Sequence, residues 1–338
     1  MDARLAGRKG ATRVRRGFVL GKFMPPHAGH VALWRTAAAL VDELTILVCT
    51  RDCEPIPGHL RVAWTRALMP EARIVHLDRD VPQEPGDHPD FWAIWRGLCR
   101  EAHPEKVDLV FGSEAYVVRL AAKMGADPVV VDPGRDAFAV SGSAIRADPA
   151  AHWRFVPGPV RPYYQRRVCL VGPESTGKST LARLLARQLG TLAVPEYGRS
   201  HSDHRGGGPW TEGDFAAIRD RQNALRAATA QEAGPVLIED TDALLTSAWQ
   251  AMMLGDPPGW EADVPLADLY LLAMPDVPWV DDGTRFHASQ AERERFLALT
   301  EAVLARRRAR VVRLAGDWHE RARAAVVAIE ALQAEHSR

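Results

Sequence analysis

Short apolar runs alternate with amphipathic stretches along nearly the whole chain. The runs at residues 17–20, 44–49, 73–77, 109–111 and 129–131 are too short for helices and predict strands. Between them, Leu33, Trp34, Ala37 and Leu40 recur at helical spacing, and residues 59–68, 91–102 and 116–124 predict further helices. The alternation resumes with strands at 167–171, 192–194, 236–238, 269–272 and 311–314 and helices over 212–230, 290–308 and 318–333. Residues 257–259 and 278–286 read as loops, and the stretch around Gly206, Gly207 and Gly208 as a polar connection. Strands alternating with helices argue for the α/β class, with parallel sheets and crossover helices. Pro157, Gly158, Pro159 and Pro162 break both periodicities and set a boundary near residue 160. The expected organisation is a tail over 1–16, a first parallel-sheet domain over 17–156, a linker over 157–166 and a second parallel-sheet domain over 167–338.

Composition narrows the partners. A chain of 338 residues with 46% hydrophobic content can fill one core per half. Its 43 basic and 43 acidic side chains cancel, so no global field draws it to nucleic acid or a membrane surface. The first sixteen residues carry Arg4, Arg8, Lys9, Arg13, Arg15 and Arg16 against Asp2, and read as a solvated, disordered tail rather than a DNA-binding arm. No apolar segment follows as a signal peptide requires, and no run approaches the ~18 residues of a membrane span. Cys49, Cys53, Cys99 and Cys169 lack the paired spacing of a zinc site. They read as reduced, mostly buried thiols of a cytoplasmic protein.

The strongest chemical signal is Gly172-Pro-Glu-Ser-Thr-Gly-Lys-Ser-Thr180, which meets every fixed position of the G-x-x-x-x-G-K-[ST] phosphate loop. A strand precedes it, and Leu181, Leu184, Leu185 and Leu189 continue it as a helix, so a chance glycine-rich turn is the weaker reading. Such a loop aims backbone N–H groups and the helix dipole at phosphates. Gly172, Glu174, Ser175, Thr176, Gly177, Lys178, Ser179 and Thr180 are the expected ATP contacts, with Lys178 on the β- and γ-phosphates and Ser179 on Mg²⁺. The strand at 236–238 runs into Glu239-Asp240-Thr241-Asp242, which brings Asp240 or Asp242 to the sheet's C-terminal edge near Ser179. An ordinary acidic strand end is the alternative; after a phosphate loop, Asp240 as a Mg²⁺ ligand leads. Glu196 is a candidate for the acceptor's ribose hydroxyls or for the base, and Arg199 for phosphate. Residues 279–285 suggest a lid from which Arg285 could touch the transferred phosphate, a solvated loop being the other reading.

In the first half, Gly21-Lys22-Phe23-Met24-Pro25-Pro26-His27-Ala28-Gly29-His30 sits where a strand turns into a helix. His27 and His30 can both face the helix N-terminus, Gly29 admits a phosphate to the backbone, and Lys22 adds charge. His30, neutral or protonated, could donate to an α-phosphate oxygen during attack. A zinc pair or two unrelated surface histidines are the alternatives, and no H-E-x-x-H arrangement or third ligand stands nearby.

These residues resemble the signature of nucleotidyltransferases of the nicotinamide mononucleotide adenylyltransferase type, which implies a Rossmann-like domain. The second motif of that type, Ser-x-[Ser/Thr]-x-x-Arg, stands here as Ser141-Gly142-Ser143-Ala144-Ile145-Arg146. The resemblance implies ATP contacts at Gly21, Phe23, His27, Gly29, His30, Gly112, Ser141, Ser143 and Arg146, with Lys22, His30 and Arg146 catalytic. It also implies a nicotinamide pocket at Trp92 or Trp95, though their spacing alone favours core packing. The second half resembles ribosylnicotinamide kinase, which implies a P-loop kinase domain with Glu196, Tyr197, Arg199 and Asp242 on the riboside. Together the halves resemble the bifunctional NadR family over about residues 17 to 335, through Glu196-Tyr-Gly-Arg199, Asp240-Thr-Asp242 and Trp279-Val-Asp-Asp-Gly-Thr-Arg285. Ser200 departs from the family's usual acid, and sixteen residues cannot hold the helix-turn-helix of its repressors, so repression is not expected. The resemblance implies that ATP, with Mg²⁺, phosphorylates nicotinamide riboside and then adenylylates the mononucleotide to NAD, in the cytoplasm. A kinase and nucleotidyltransferase pair on another riboside, or an NAD- or ATP-sensing regulator with a basic arm, are the rival readings, and a homo-oligomer is left open.

Overall fold

A computed structural model describes residues 13–278 and 289–335, and contacts divide the chain into two compact units, 1–160 and 161–338. The first unit is a five-stranded, wholly parallel sheet of β1 (Arg16–Gly21), β2 (Glu43–Thr50), β3 (Arg73–Asp78), β4 (Leu109–Gly112) and β5 (Asp127–Val130), in the order β3-β2-β1-β4-β5. Crossovers run through α1 (Ala28–Leu40), α2 (Gly58–Leu68), α3 (Phe91–Ala102) and α4 (Tyr116–Met124), and α5 (Gly142–Ala147) follows β5. Strand residues alternate between two cores, as a pleated strand requires. Val19, Ile46, Val48 and Phe111 pack with Leu33, Trp34 and Val62 on one face. Phe18, Leu47 and Val110 pack with Trp95, Cys99 and Leu120 on the other. Because the chain leaves β1 towards β2 and returns to β4 on its far side, a crevice opens at the strands' C-terminal ends.

The second unit repeats the plan with β6 (Arg166–Val171), β7 (Ala193–Val194), β8 (Val236–Asp240), β9 (Leu269–Ala273) and β10 (Val311–Leu314), ordered β10-β9-β6-β8-β7 and all parallel. Its helices are α6 (Arg161–Tyr164), α7 (Lys178–Gln188), α8 (Tyr197–His204), α9 (Glu212–Glu232), α10 (Ala243–Leu254), α11 (Gln290–Arg306) and α12 (Trp318–Ala334). Val168, Leu170 and Leu271 pack against α7 and α12, and Cys169, Tyr270 and Leu272 against α10 and α11. Both units are the α/β architecture that the alternation predicts, a Rossmann-like nucleotidyltransferase fold followed by a P-loop fold.

Departures are local. The periodicity misses α10, because Ala-Leu-Leu-Thr-Ser-Ala-Trp-Gln-Ala-Met-Met-Leu buries nearly all round and shows no polar stripe. Its caps were the available signal: Asp242 at the N-terminus and Gly255 at φ 95° at the other end. It also misses α8, a polar helix with no buried residue. The proline-rich stretch folds into a 3₁₀ turn and α6, behind another 3₁₀ turn at Trp153–Phe155, with Val156 and Val160 fully buried. Residues 1–12 lie outside the described residues, but the last basic residues of the expected tail are ordered. Arg13 pairs with Asp108, the Arg15 N–H donates to Asp42 at 2.7 Å, and Arg16 opens β1 and pairs with Glu43 at 2.7 Å. Among the described residues no helix is long and apolar enough to cross a membrane. The four cysteines carry free thiols: Cys99 and Cys169 are buried, Cys49 is half-buried and Cys53 is exposed.

Candidate active sites

In the first unit the site grows from the end of β1. The chain turns through Phe23, at φ 45°, whose ring folds over Gly21; a Cβ there would come within 2.8 Å of that ring. His27 then caps α1, and its backbone N–H donates to His30 Nδ1 at 3.3 Å. The two imidazoles stack with centroids 3.7 Å apart, and His30 rests against Phe23 and Trp34. Because Nδ1 accepts, the His30 proton sits on Nε2 and that N–H is the one available to a ligand. Burial, reinforced by Arg135, pushes His27 down to about 4. Burial, then His27 and Arg135, holds His30 well below the ordinary imidazole range. Of the two protonation states open from sequence, the neutral one prevails.

The second motif closes on the same loop. Ser141 caps α5 by accepting the Ala144 N–H at 3.1 Å, and its hydroxyl lies 3.0 Å from that of Ser143. Arg146 donates to the Met24 carbonyl, and a Cβ at Gly142 would lie 2.5 Å from that oxygen. The motifs, over a hundred residues apart, are thus one cradle. Lys22 lies 3.4 Å from Glu54, whose other oxygen accepts from the fully buried Arg61 at 2.6 Å. Arg61 also donates to the Lys22 carbonyl at 2.9 Å, fixing the turn that presents Lys22. Burial opposes ionisation of Glu54, but Arg61, the Arg51 N–H and Lys22 together hold its carboxyl below the usual range. Sequence reasoning missed Arg61 and Glu54; the position of Arg61 on the face of α2 shared by Trp64 and Thr65 was the signal.

The tryptophans divide. Trp95 is a core residue whose Nε1 donates to the Pro82 carbonyl at 2.9 Å, the packing that its spacing alone favours. Trp92 is half-buried, carries Arg119 over its ring at 5.1 Å, and keeps a buried Nε1 without a partner. Gly112 is required by packing, since a Cβ would meet Val117 at 2.3 Å.

In the second unit the phosphate loop needs left-handed backbone at Gly172 (φ 128°), Ser175 (63°) and Gly177 (81°). Gly172 and Thr176 shape the loop rather than face the cavity. A Cβ at Gly172 would lie 2.5 Å from the Ala273 carbonyl. The buried Thr176 hydroxyl donates to the Pro173 carbonyl at 2.8 Å, as does Lys178 Nζ. A cavity of about 480 Å³ lies over the loop, lined by Glu174, Ser175, Gly177, Lys178, Ser179 and Thr180 on one side and by Glu196, Arg199 and Asp240 on the other. Trp210, Phe215, Trp249 and Met253 also belong to its wall, and no motif pointed to them. Burial raises Glu196 to about 6 against the pull of Lys178, and burial likewise lowers Lys178 against Glu196 and Asp240. Asp240 is buried with Oδ1 lacking a hydrogen-bond partner. An unsatisfied carboxylate oxygen in a cavity that Ser179 also lines fits a hard divalent cation such as Mg²⁺.

Two riboside candidates fall away from this cavity. Asp242 is spent as the cap of α10: Oδ1 accepts the Leu244 and Leu245 N–H groups, and Oδ2 accepts the Tyr270 hydroxyl at 2.6 Å. Tyr197 does not line the cavity; its N–H donates to Gln222 Oε1 at 2.7 Å. Gln222 donates in turn to the Pro195 and Thr241 carbonyls, both at 3.3 Å, so one buried amide spaces the loops of Glu196 and Asp240. Arg285 lies outside the described residues.

Fold and cradles define a two-unit α/β protein that handles nucleotide phosphates at two strand-to-helix turns. Residues 167–321 match the family model described as an AAA domain. The chain is 31% identical over 312 residues to the trifunctional NAD biosynthesis/regulator protein NadR of Escherichia coli (strain K12), covering 85% of this chain and 76% of that one. It superimposes on a crystal structure of NadR protein in complex with NR at a TM-score of 0.71 and 22% identity, covering 94% of this chain and 96% of the other. A second NadR structure, in complex with NAD and AMP-PNP, gives a TM-score of 0.70 at 21% identity, with 96% of each chain covered. The chain belongs to the NadR family.

Proposed function

We propose that this chain makes NAD in two ATP-dependent steps, phosphorylating nicotinamide riboside and then adenylylating the resulting mononucleotide. Residues 17–156 carry the second step and residues 167–338 the first, on either side of the 157–166 stretch. The observation that carries the reading is the pair of separate cradles, His27/His30 with Arg146 and Lys178 with Glu196 and Asp240.

In the kinase step the riboside hydroxyl attacks the γ-phosphorus of ATP and its proton passes to a Glu196 carboxylate oxygen. Burial sets that group near neutrality, as a base for a hydroxyl requires. Lys178 neutralises charge on the transferred phosphoryl group while ADP departs. Ser179 and Asp240 would hold Mg²⁺, which supplies Lewis-acid stabilisation of the phosphate oxygens when bound. Arg199 reaches the same cavity and suits the phosphate, and the aromatic wall suits a pyridine ring.

The adenylyl step needs no base, because the nucleophile is an ionised phosphate oxygen. It attacks the α-phosphorus of ATP, pyrophosphate leaves, and the acceptor phosphate becomes bridged to adenosine monophosphate. His30 Nε2–H donates to the crowded α-phosphate, with Lys22 and Arg146 balancing the departing charge. We assign both steps to the cytoplasm, which the free thiols support. The test is to incubate the chain with nicotinamide riboside, ATP and Mg²⁺ and follow mononucleotide and dinucleotide separately. Formation of both supports the reading, and formation of neither removes it.

A further inference from the structure

The cavity over the phosphate loop accounts for phosphates and acceptor, but the base of the ATP used there has no assigned contact. The sheet order shows which way the nucleoside must leave. Glu196 follows β7 and Asp240 ends β8, and both strands lie on one side of β6, whereas β9 and β10 lie on the other. In-line transfer puts the acceptor and the leaving diphosphate on opposite sides of the γ-phosphorus. The ADP moiety therefore points towards β9 and β10.

Trp318 stands on that side. It opens α12 directly after β10, and its side chain is 48% exposed despite its size. The indole lies against Gly177, the residue capping α7 at the mouth of the phosphate loop; a Cβ there would fall 1.7 Å from the ring. A rigid frame holds it in place. The Gly316 N–H donates to Asp276 at 2.7 Å, and Asp317 caps α12 by accepting the His319 and Glu320 N–H groups at 2.8 and 2.9 Å. The fully buried Arg321 donates to the carbonyls of Gly316 (2.9 Å), Met274 (2.9 Å) and Thr176 (3.1 Å), tying the start of α12 to the phosphate loop itself. A flat ring is thus fixed in register with the triphosphate cradle while much of it faces solvent.

We propose that Trp318 is the platform on which the second unit seats the purine base of ATP. The assignment rests on the kinase reading above. In the full chain, Trp318→Ala raises the KM for ATP in riboside phosphorylation roughly 10- to 100-fold, the range of losing one base–aromatic stack, and leaves kcat unchanged. Trp318→Phe keeps most of the affinity. Inhibition by inorganic tripolyphosphate, which has the phosphates and no base, is the same in all three proteins. A parallel loss of tripolyphosphate affinity would mean that the indole only props the loop, and an unaltered KM for ATP would equally overturn the proposal. A wild-type chain that phosphorylated no riboside would sink the kinase reading instead. Calorimetry with a non-hydrolysable ATP analogue would then still decide the platform, by whether one binding site weakens in Trp318→Ala.

Discussion

Replacing Arg61 by Met tests how the first unit holds its loop. Arg61 is fully buried, with its guanidinium shared among Glu54 at 2.6 Å and the carbonyls of Lys22 at 2.9 Å and Cys49 at 3.4 Å. Met fills a similar volume but donates nothing. Glu54, nearly buried, then keeps only the Arg51 N–H at 3.1 Å and the half-exposed Lys22 at 3.4 Å. Breaking one side of a buried ion pair costs about 3–5 kcal/mol, a large part of the ~5–15 kcal/mol that stabilises an ordinary domain. Removing both partners, as Arg61→Met with Glu54→Leu, leaves no buried unpaired charge and recovers most of the loss. The single variant also loses pH dependence of the usual sign. Glu54 is held below its ordinary range in the native protein, so its stabilisation is present above the unfolded carboxylate pKa and fades as pH falls. The gap between native and Arg61→Met stability therefore narrows in acid. Urea unfolding followed by adenylyltransferase activity, the step proposed for the first unit, reads each value. A single variant within about 1 kcal/mol of native, or a double variant no better than the single, would refute the argument.

Lys178→Ala abolishes riboside phosphorylation and spares adenylylation, while His30→Ala does the reverse, each by on the order of 10²–10³ in rate; loss of both activities in a folded variant would contradict separate cradles. Glu196, raised by burial to about 6, must be ionised to take the hydroxyl proton. Kinase turnover therefore falls roughly tenfold per pH unit below that value and is flat above it, and Glu196→Gln removes the dependence. Asp242→Ala costs about 2–4 kcal/mol through the lost cap and the Tyr270 hydroxyl's lost partner, yet leaves the riboside KM unchanged, as thermal unfolding and initial rates would show.

Local sequence determined the alternation of strand and helix, the position of both phosphate-binding turns and the choice of Lys178 and His30, because each depends on spacing within a few residues. Helices without a polar stripe, such as α10, escaped it, since their signal is burial on all sides. Partnerships across the chain escaped it as well. Arg146 meets the Met24 carbonyl, Arg61 meets the Lys22 carbonyl, and Gln222 spaces Glu196 from Asp240, because parallel strands bring distant loops to one sheet edge. Only the tertiary structure showed how differently two acids of one strand end are placed. Asp240 and Asp242 are two residues apart, but one ends a strand in the cavity with an oxygen unsatisfied while the other turns away to cap a helix. Which of two neighbouring carboxylates stays available to a ligand depends on what surrounds each of them, and only the folded chain brings those surroundings together.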